Sequence, residues 1–308
     1  MIAHLLLLAL QVAVPLFSAE EPIRFSLTAD FSRLERDRSQ ESEERPATVR
    51  VVGSDGEAVE IEIEVRTRGR FRLQRRICPD PPLRLDFPDT PVQGTVFDGQ
   101  DKLKLVNHCR DSDGYEQNVL EEYLAYRIYN ELTEVSFRVR LAEVTYLDSS
   151  GKNDPVTRMA FLLESEEALG RRLGGKVLEV QGSARPDEFV IDQIGLVYLF
   201  QFMIGNVDWG TGTGHNIEIL LKDGAYYPIP RDFDWSGLVD APYAEPNRLT
   251  KDLHDSVRER VYWGVCMAEI QYDELFASFQ EARASIVALP SGIPGLSKAN
   301  SEIGRAHV

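Results

Sequence analysis

The residues best suited to chemistry are the acids and the amide that surround a short hairpin in the second half of the chain. Asp223-Gly224 lies between two apolar runs and predicts a two-residue turn, because glycine accepts the positive φ that such turns require. Antiparallel pairing about this turn makes paired residue numbers sum to 447, so Asn216 faces Arg231 and lies beside Asp232. The sequence therefore predicts that the hairpin brings an amide and a carboxylate to one end.

Two further acids are predicted to lie at the same edge. Asp208 follows an apolar helical segment, and Asp234 comes two residues after Asp232. Mg²⁺ prefers one or two protein carboxylates or amides, with phosphate oxygens and water. Asn216, Asp232 and Asp234 are therefore candidate metal ligands, and Asp208 is the candidate carboxylate that orients or deprotonates an acceptor hydroxyl. Alternatively, these residues only cap helices and form turns, which is their common role in loops.

A run of arginines supports phosphate chemistry. In the segment Arg66-Thr-Arg68-Gly-Arg70-Phe-Arg72, four guanidinium groups recur at alternate positions. Arginine offers paired donors that match phosphate oxygens, so Arg68 and Arg70 are candidate phosphate ligands. The alternative is that the acids of residues 60–64 pair with about half of these arginines across the sheet.

Lys104 lies on one face of a predicted strand and is a further candidate for a phosphate contact. It could pair with Glu121 or Glu122 on the helix that follows, although a solvated strand face is the default for such a lysine. The chain carries 34 basic and 50 acidic residues, a net charge of −16, which argues against sequence-independent nucleic-acid binding. Any basic site must therefore be local.

The N-terminal segment of the chain predicts export. Residues 1–19 lack charge and form an apolar run too short to span a bilayer comfortably, which predicts a signal peptide, with a retained anchor as the alternative. We expect a periplasmic or extracellular protein with no other membrane span.

Cys78 and Cys109 are the preferred disulfide pair and leave Cys266 free, although three separate thiols are the alternative. Residues 302–308 match the translation of a sequencing adapter and are interpreted as an artefact.

The elements that must position these residues divide into two halves. Residues 20–163 predict a β-rich lobe with one helix: residues 59–65 alternate strictly with period two, residues 83–87, 103–106, 140–147 and 158–163 give further strands, and residues 115–132 have helical spacing. Residues 164–301 predict a helical lobe that carries the hairpin, with helices at 166–173, 189–204, 257–269 and 272–289, the last ended by Pro290. Two lobes imply a cleft between them.

The chain resembles the spore-coat protein H (CotH) kinase family, an atypical branch of the protein-kinase-like fold. Arg68-Gly69-Arg70 looks like its phosphate loop without the two hydroxyl residues, and residues 78–87 and 104–122 resemble the strands and helix that follow. Residues 159–164 resemble the strand that ends in Glu164, where adenine would bind. The remaining matches are the catalytic aspartate, the metal-binding asparagine and an Asp-x-Asp motif, at Asp208, Asn216 and Asp232-Phe233-Asp234. Asp208 and Asn216 are eight positions apart, where typical kinases have five.

The resemblance implies an α+β, bilobal kinase-like protein that transfers the γ-phosphoryl of ATP to a hydroxyl acceptor, a protein or another molecule. It implies Mg²⁺ or Mn²⁺ as the ion, with Arg68, Arg70, Lys104, Glu122 and Glu164 at the nucleotide. Because ATP is scarce outside the cytoplasm, one alternative is a non-catalytic envelope or interaction protein with a pseudokinase-like fold. Another is nucleotidyl transfer, with ATP bound in reverse.

Overall fold

The computed structural model describes residues 15–88, 92–179 and 184–306, and seven of its strands close into a barrel. Neighbours follow the order β1-β2-β3-β4-β5-β7-β6, and every pairing is antiparallel except the one that closes the barrel, between β1 and β6. The strands are β1 Ile23–Ala29, β2 Arg45–Val52, β3 Ala58–Thr67, β4 Leu83–Asp86, β5 Lys102–Val106, β6 Val139–Asp148 and β7 Val156–Leu163.

The barrel interior follows from the period-two pattern of its strands. Along β3, Ile61, Ile63 and Val65 are buried, while the glutamates between them are exposed, because successive side chains point to opposite faces of a strand. Phe25 and Leu27 of β1 belong to the same apolar cluster. The predicted strands of the first half are therefore confirmed, each to within a few residues.

The described residues also form six α-helices and a second sheet. The helices are α1 Phe31–Leu34, α2 Asp113–Leu132, α3 Glu166–Leu173, α4 Ile191–Met203, α5 Tyr272–Gly292 and α6 Lys298–Ala306. The second sheet has the order β10-β9-β8 and comprises β8 Lys176–Leu178, β9 Ile217–Lys222 and β10 Ala225–Pro230. Helix α2 contacts β7 of the barrel and α5, so one apolar cluster joins the barrel to the second half.

The expected bilobal, kinase-like fold with a helical C-terminal lobe is wrong. The first half is a closed, mixed seven-stranded barrel, and the second half combines a three-stranded sheet with residues 231–271, which form neither helix nor strand. The closing pair joins β1 to β6, which lie more than 100 positions apart, for example Ile23 with Ala142. Strand alternation shows which face of a strand is buried but not which distant strand it pairs with.

One helix prediction for the second half is also wrong, and another is confirmed except for its C-terminal end. No helix forms over residues 257–269. Gly264 in this segment approaches the core closely, since a Cβ there would be 2.6 Å from the Tyr198 ring. Helix α5 continues past Pro290 to Gly292, since a proline so near the end of a helix interrupts little of its hydrogen bonding. The predicted helices at 166–173 and 189–204 correspond to α3 and α4.

The hairpin and the disulfide are confirmed. Residues of β9 and β10 pair so that their numbers sum to 447, from Lys222 with Ala225 to Ile217 with Pro230. Cys78 and Cys109 form a disulfide, and Cys266 is a free, exposed thiol. In the residues that the structure describes, no helix has the length and apolar character needed to cross a membrane. Residues 1–14 of the predicted signal peptide and residues 307–308 of the predicted artefact lie outside the described residues.

Candidate functional site

The base of the β9–β10 hairpin places Asn216 and Asp232 side by side. The Arg231 backbone N–H donates to the Asn216 carbonyl at 3.0 Å, which extends the pairing one step past the strands. Both Asn216, at φ 53°, and Asp232, at φ 62°, adopt the left-handed conformation that side chains disfavour. Such backbone strain concentrates at functional sites, where the surrounding structure holds it in place.

A compact loop brings Asp208 to this hairpin base. A short 3₁₀ helix, Thr211–Thr213, reverses the chain, and the backbones of Gly210 and His215 exchange hydrogen bonds of 2.9 and 3.1 Å. The Asn216 side-chain N–H₂ then donates to the Asp208 carbonyl at 2.7 Å and to its Oδ2 at 3.2 Å. The residues between Asp208 and Asn216 therefore form a compact loop, and Asp208 and Asn216 are in contact.

Asp208 is held by two further hydrogen bonds. Its backbone N–H donates to Asn206 Oδ1 at 2.9 Å, and its Oδ1 lies 3.1 Å from His215 Nε2. The hydrogen bond with Asp208 raises the pKa of His215, although burial opposes this. The Asp208 carboxylate is thus oriented from both of its oxygens.

Helix α2 contributes a buried carboxylate and a tyrosine to the same site. Tyr126 Oη accepts a hydrogen bond of 2.9 Å from the Asp232 backbone N–H, and Glu122 lies one helical turn earlier on the same face. Burial raises the pKa of Glu122 well above its ordinary value, and the charges of Asp234 and Asp232 raise it further. This electrostatic coupling indicates that the three carboxylates lie close together.

Asp234 is the most deeply enclosed of the acids at the hairpin base. Its Oδ2 accepts a hydrogen bond of 2.8 Å from Tyr243 Oη. Burial, followed by the charges of Asp232 and, more weakly, Asp208, raises the pKa of Asp234 to about 7, while Arg72 and the Tyr243 hydrogen bond lower it. A cation placed among these carboxylates would relieve their mutual repulsion.

Two arginines of the predicted phosphate segment face the acids, and two do not. Burial lowers the pKa of Arg68 and the charge of Asp232 raises it, while the charges of Arg72 and Arg68 both lower the pKa of Glu122. Arg66 instead pairs with Glu44 at 3.7 Å, and the exposed Arg70 donates to Gln40 at 3.1 Å. The four arginines do not share one strand face, because β3 ends at Thr67 and a 3₁₀ helix, Phe71–Leu73, turns the chain.

Backbone carbonyls fix the two arginines that face the acids. Arg68 Nε donates to the Leu83 carbonyl at 3.2 Å, and Arg72 Nη2 donates to the Asn107 carbonyl at 2.8 Å. Burial lowers the pKa of Arg72, but the charges of Tyr243 and Asp234 outweigh this effect, so the pKa of the guanidinium is raised above its ordinary value. Both groups are therefore held in place beside carboxylates.

Lys104 contributes to this positive region but not through the predicted partners. Its Nζ pairs with Glu166 at the start of α3, and not with Glu121 or Glu122. Burial lowers the pKa of Lys104, Glu166 raises it, and the nearby charges of Arg231 and Arg68 lower it. Lys104, Arg231 and Arg68 are therefore neighbours, and Arg231 is itself paired with Glu218.

Glu164 has a different environment from the other candidates. Its carboxylate forms a bidentate ion pair with Arg172 of α3, at 2.9 and 2.8 Å, and accepts a hydrogen bond of 3.0 Å from the Arg138 backbone N–H. The side chain is only 4% exposed. These bonds occupy both carboxylate oxygens, so the side chain joins α3 to the end of the barrel where β6 begins and β7 ends.

Several residues at the site escaped the sequence analysis. Tyr126 could have been found, because it lies four positions after Glu122 on a helix face that carries a buried acid. Arg231 directly precedes Asp232, but the sequence identifies it only as the position opposite Asn216. Nothing in the spacing indicates Tyr243, which reaches Asp234 from residues 231–271, the part without regular structure.

The side-chain oxygens at the hairpin base suit a cation that also takes phosphate oxygens as ligands. No group of three or more His, Cys, Asp or Glu side chains in the described ranges is arranged to hold a metal ion. Mg²⁺ does not need such a cage, since it usually keeps water and takes one or two carboxylates with substrate phosphates. The Asn216 amide turns its N–H₂ to Asp208, which leaves its oxygen on the opposite side. Amide and carboxylate oxygens such as those of Asn216 and Asp232 are ligand types that Mg²⁺ and Mn²⁺ use.

An aromatic cavity of about 420 Å³ adjoins the acids. Phe71, Trp235 and Tyr243 line it, with ring centroids 4.9 to 6.4 Å apart. Trp235 follows Asp234 in sequence and Tyr243 binds Asp234, so this cavity opens beside the carboxylate cluster.

Comparison of the chain with protein-family models and with curated proteins gives no match in either. The functional argument therefore rests on the geometry of the site.

Proposed function

We propose that this chain binds ATP together with Mg²⁺ or Mn²⁺ and transfers the γ-phosphoryl group to a hydroxyl acceptor. One observation carries the proposal: a hairpin base gathers Asp208, Asn216 and Asp232 beside two buried carboxylates, Glu122 and Asp234, and beside fixed guanidinium groups. Phosphoryl transfer needs little more than positioning and charge neutralisation, and this arrangement offers both.

Each polar or charged group would have a distinct role. Asn216 and Asp232 would hold the ion, with Asp234 available to a second one, and the ion would supply neutralisation of the phosphate charge. Arg68, Arg72 and Lys104 would bind phosphate oxygens, since backbone carbonyls or a carboxylate already fix their positions. Arg70 does not share this role, because it faces Gln40.

Asp208 would act on the acceptor. Its carboxylate would hydrogen-bond to the acceptor hydroxyl and take its proton as the oxygen–phosphorus bond forms, while the bond from the γ-phosphorus to the bridging oxygen breaks and ADP leaves. His215 and Asn216 hold the carboxylate in one orientation, which is what such a group requires. The acceptor is a protein or another hydroxyl-bearing molecule, and export to the periplasm or the extracellular space is part of the proposal.

Labelled ATP tests this function directly. The full chain is incubated with a mixed protein extract, Mg²⁺ and ATP labelled at either the γ- or the α-phosphate. The proposal predicts transfer of γ-label only. Transfer of α-label would indicate nucleotidyl transfer, and transfer of neither label at saturating protein would indicate a non-catalytic interaction protein; either result would overturn the proposal.

Matched variants assign the transfer to the site. Asp208→Asn keeps the size of the side chain and removes its charge, so we expect transfer to fall by about 10²-fold to 10⁴-fold. Asp187→Asn is the control, because this exposed aspartate pairs only with Arg185 on the surface. Thermal unfolding of both variants should match that of the parent chain. Equal transfer by the parent and Asp208→Asn would remove Asp208 from the chemistry.

A further inference from the structure

Residues 15–21, which precede the first barrel strand, are folded against the barrel. Leu16 is fully buried and belongs to the apolar cluster of the barrel interior, and Phe17 packs against the same cluster. The backbone N–H and the hydroxyl of Ser18 both donate to the Pro15 carbonyl, at 3.0 and 2.8 Å, which turns the chain. The end of the segment that the sequence assigns to a signal peptide therefore contributes a side chain to the core.

Arg140 of β6 binds the backbone of this segment at the seam where β1 and β6 close the barrel. The parallel register pairs Ile23 with Ala142, which places Glu21 level with Arg140. Arg140 is 6% exposed, and it donates from Nε to the Glu21 carbonyl at 2.6 Å and from Nη1 to the Leu16 carbonyl at 2.9 Å. Loss of Leu16 would leave a buried guanidinium N–H without this acceptor, which is unfavourable.

A cut after Ala19 would also add a charge of the wrong sign. The Glu20 carboxylate accepts a hydrogen bond of 2.7 Å from Arg127, and the next carbonyl in the chain binds Arg140. The cut would create a positively charged α-amino group on Glu20, between these two cationic side chains. Like charges at short range repel, so the shortened chain would lose part of this attachment.

The amino acids around the expected cut agree with the packing. Leader peptidases prefer small residues at the first and the third position before the cut. The third position is Phe17 for a cut after Ala19, and it is Leu16 for a cut after Ser18. The two large side chains that break the preferred pattern are therefore the two that pack into the barrel.

We propose that the exported chain keeps residues 16–21 as a structural part of its barrel, and that leader peptidase does not cut after Ser18 or Ala19. The segment covers the apolar interior beside the β1–β6 seam, so a cut within it would expose part of the core to water. Retention presupposes export, which is part of the proposed function.

The first residue of the exported chain tests retention. The full chain is produced in a bacterial host, recovered from the fraction outside the cytoplasm, and analysed by intact-mass spectrometry and N-terminal sequencing. We expect the recovered chain to include residues 16–21. A first residue at any position after Leu16 would overturn the proposal. A chain found only in the cytoplasm would contradict export, and the thermal measurement below then decides whether the segment belongs to the fold.

Thermal unfolding tests the structural role without export. The full chain is synthesised in a cell-free system that lacks membranes, under oxidising conditions, so that no leader peptidase acts on it. Leu16→Ala should lower the melting temperature by at least about 4 °C, because it empties a buried site. Leu249→Ala is the matched control, since this leucine is 76% exposed, and it should change the melting temperature by less than about 2 °C.

A milder variant covers the case in which Leu16→Ala does not fold. Leu16→Val removes a single methylene group and should still lower the melting temperature by at least about 2 °C. Melting temperatures for the Leu16 variants that equal those of the parent chain and of Leu249→Ala would overturn the proposal, because a segment outside the fold would tolerate the change.

Discussion

Replacement of Arg172 by alanine should strongly destabilise the fold, because it leaves the buried Glu164 carboxylate without its positively charged partner. Arg172 makes two hydrogen bonds to Glu164, whose side chain is 4% exposed, and donates to the carbonyls of Ser136, at 2.6 Å, and Glu134, at 3.2 Å. Removing one partner of a buried pair costs about 3 to 5 kcal/mol. Arg172 is itself 18% exposed, so water reaches part of the pair and we expect about 3 kcal/mol.

The same helix supplies a matched control. Arg171 pairs with Glu167 on the surface, where both side chains are about two-thirds exposed, at 65% and 68%. Such an exposed pair contributes about 0 to 1 kcal/mol, so Arg171→Ala should change the free energy of unfolding by less than about 1 kcal/mol. Urea denaturation monitored by tryptophan fluorescence at pH 7 measures both variants. Equal destabilisation by the two substitutions would refute the structural role that we assign to Glu164.

Three other predictions address charge, close packing and the disulfide. Burial raises the pKa of Glu121 from 4.5 to about 8, so the folded state binds this proton more tightly and loses stability, by up to about 1.4 kcal/mol per pH unit, as pH rises between these values. Urea denaturation at several pH values should show Glu121→Gln gaining stability relative to the parent chain from pH 5 to pH 8; a constant difference would contradict the burial effect. A Cβ at Gly237 would lie 2.4 Å from the Val257 carbonyl oxygen, so Gly237→Ala should cost about 1 to 3 kcal/mol in the same assay, whereas Gly114→Ala, with open space, should not destabilise. Removing the Cys78–Cys109 disulfide, whose ends are 31 residues apart, by replacing both cysteines with serine should cost roughly 3 to 4 kcal/mol; an unchanged melting temperature would show that the disulfide does not contribute to stability.

The hairpin at the candidate site was predictable because its signals are local. Asp223-Gly224 determines the turn, and the turn determines the register that places Asn216 opposite Arg231. Strict alternation likewise identifies β3 and the glutamates on its exposed face. In these elements, neighbours in sequence decide the conformation.

The barrel and the partners of the charged groups depend on contacts between distant residues. The parallel pairing of β1 with β6 closes the barrel, and no pattern within either strand specifies it. Glu164 resembles a nucleotide contact in sequence, but Arg172 of the next helix occupies its carboxylate. The arginine run divides between two environments because the chain turns after Thr67, which the spacing of the arginines does not show.

The most direct test of the site is the position of a bound ion. Crystals of the full chain grown with Mn²⁺ and a non-hydrolysable ATP analogue would give an anomalous signal for the metal. We predict a peak within bonding distance of the side-chain oxygens of Asn216 and Asp232, with the phosphates beside Arg68 and Arg72. Bound nucleotide with manganese elsewhere, or neither bound at saturating concentrations, would contradict the claim that the hairpin base is a site for nucleotide and divalent cation.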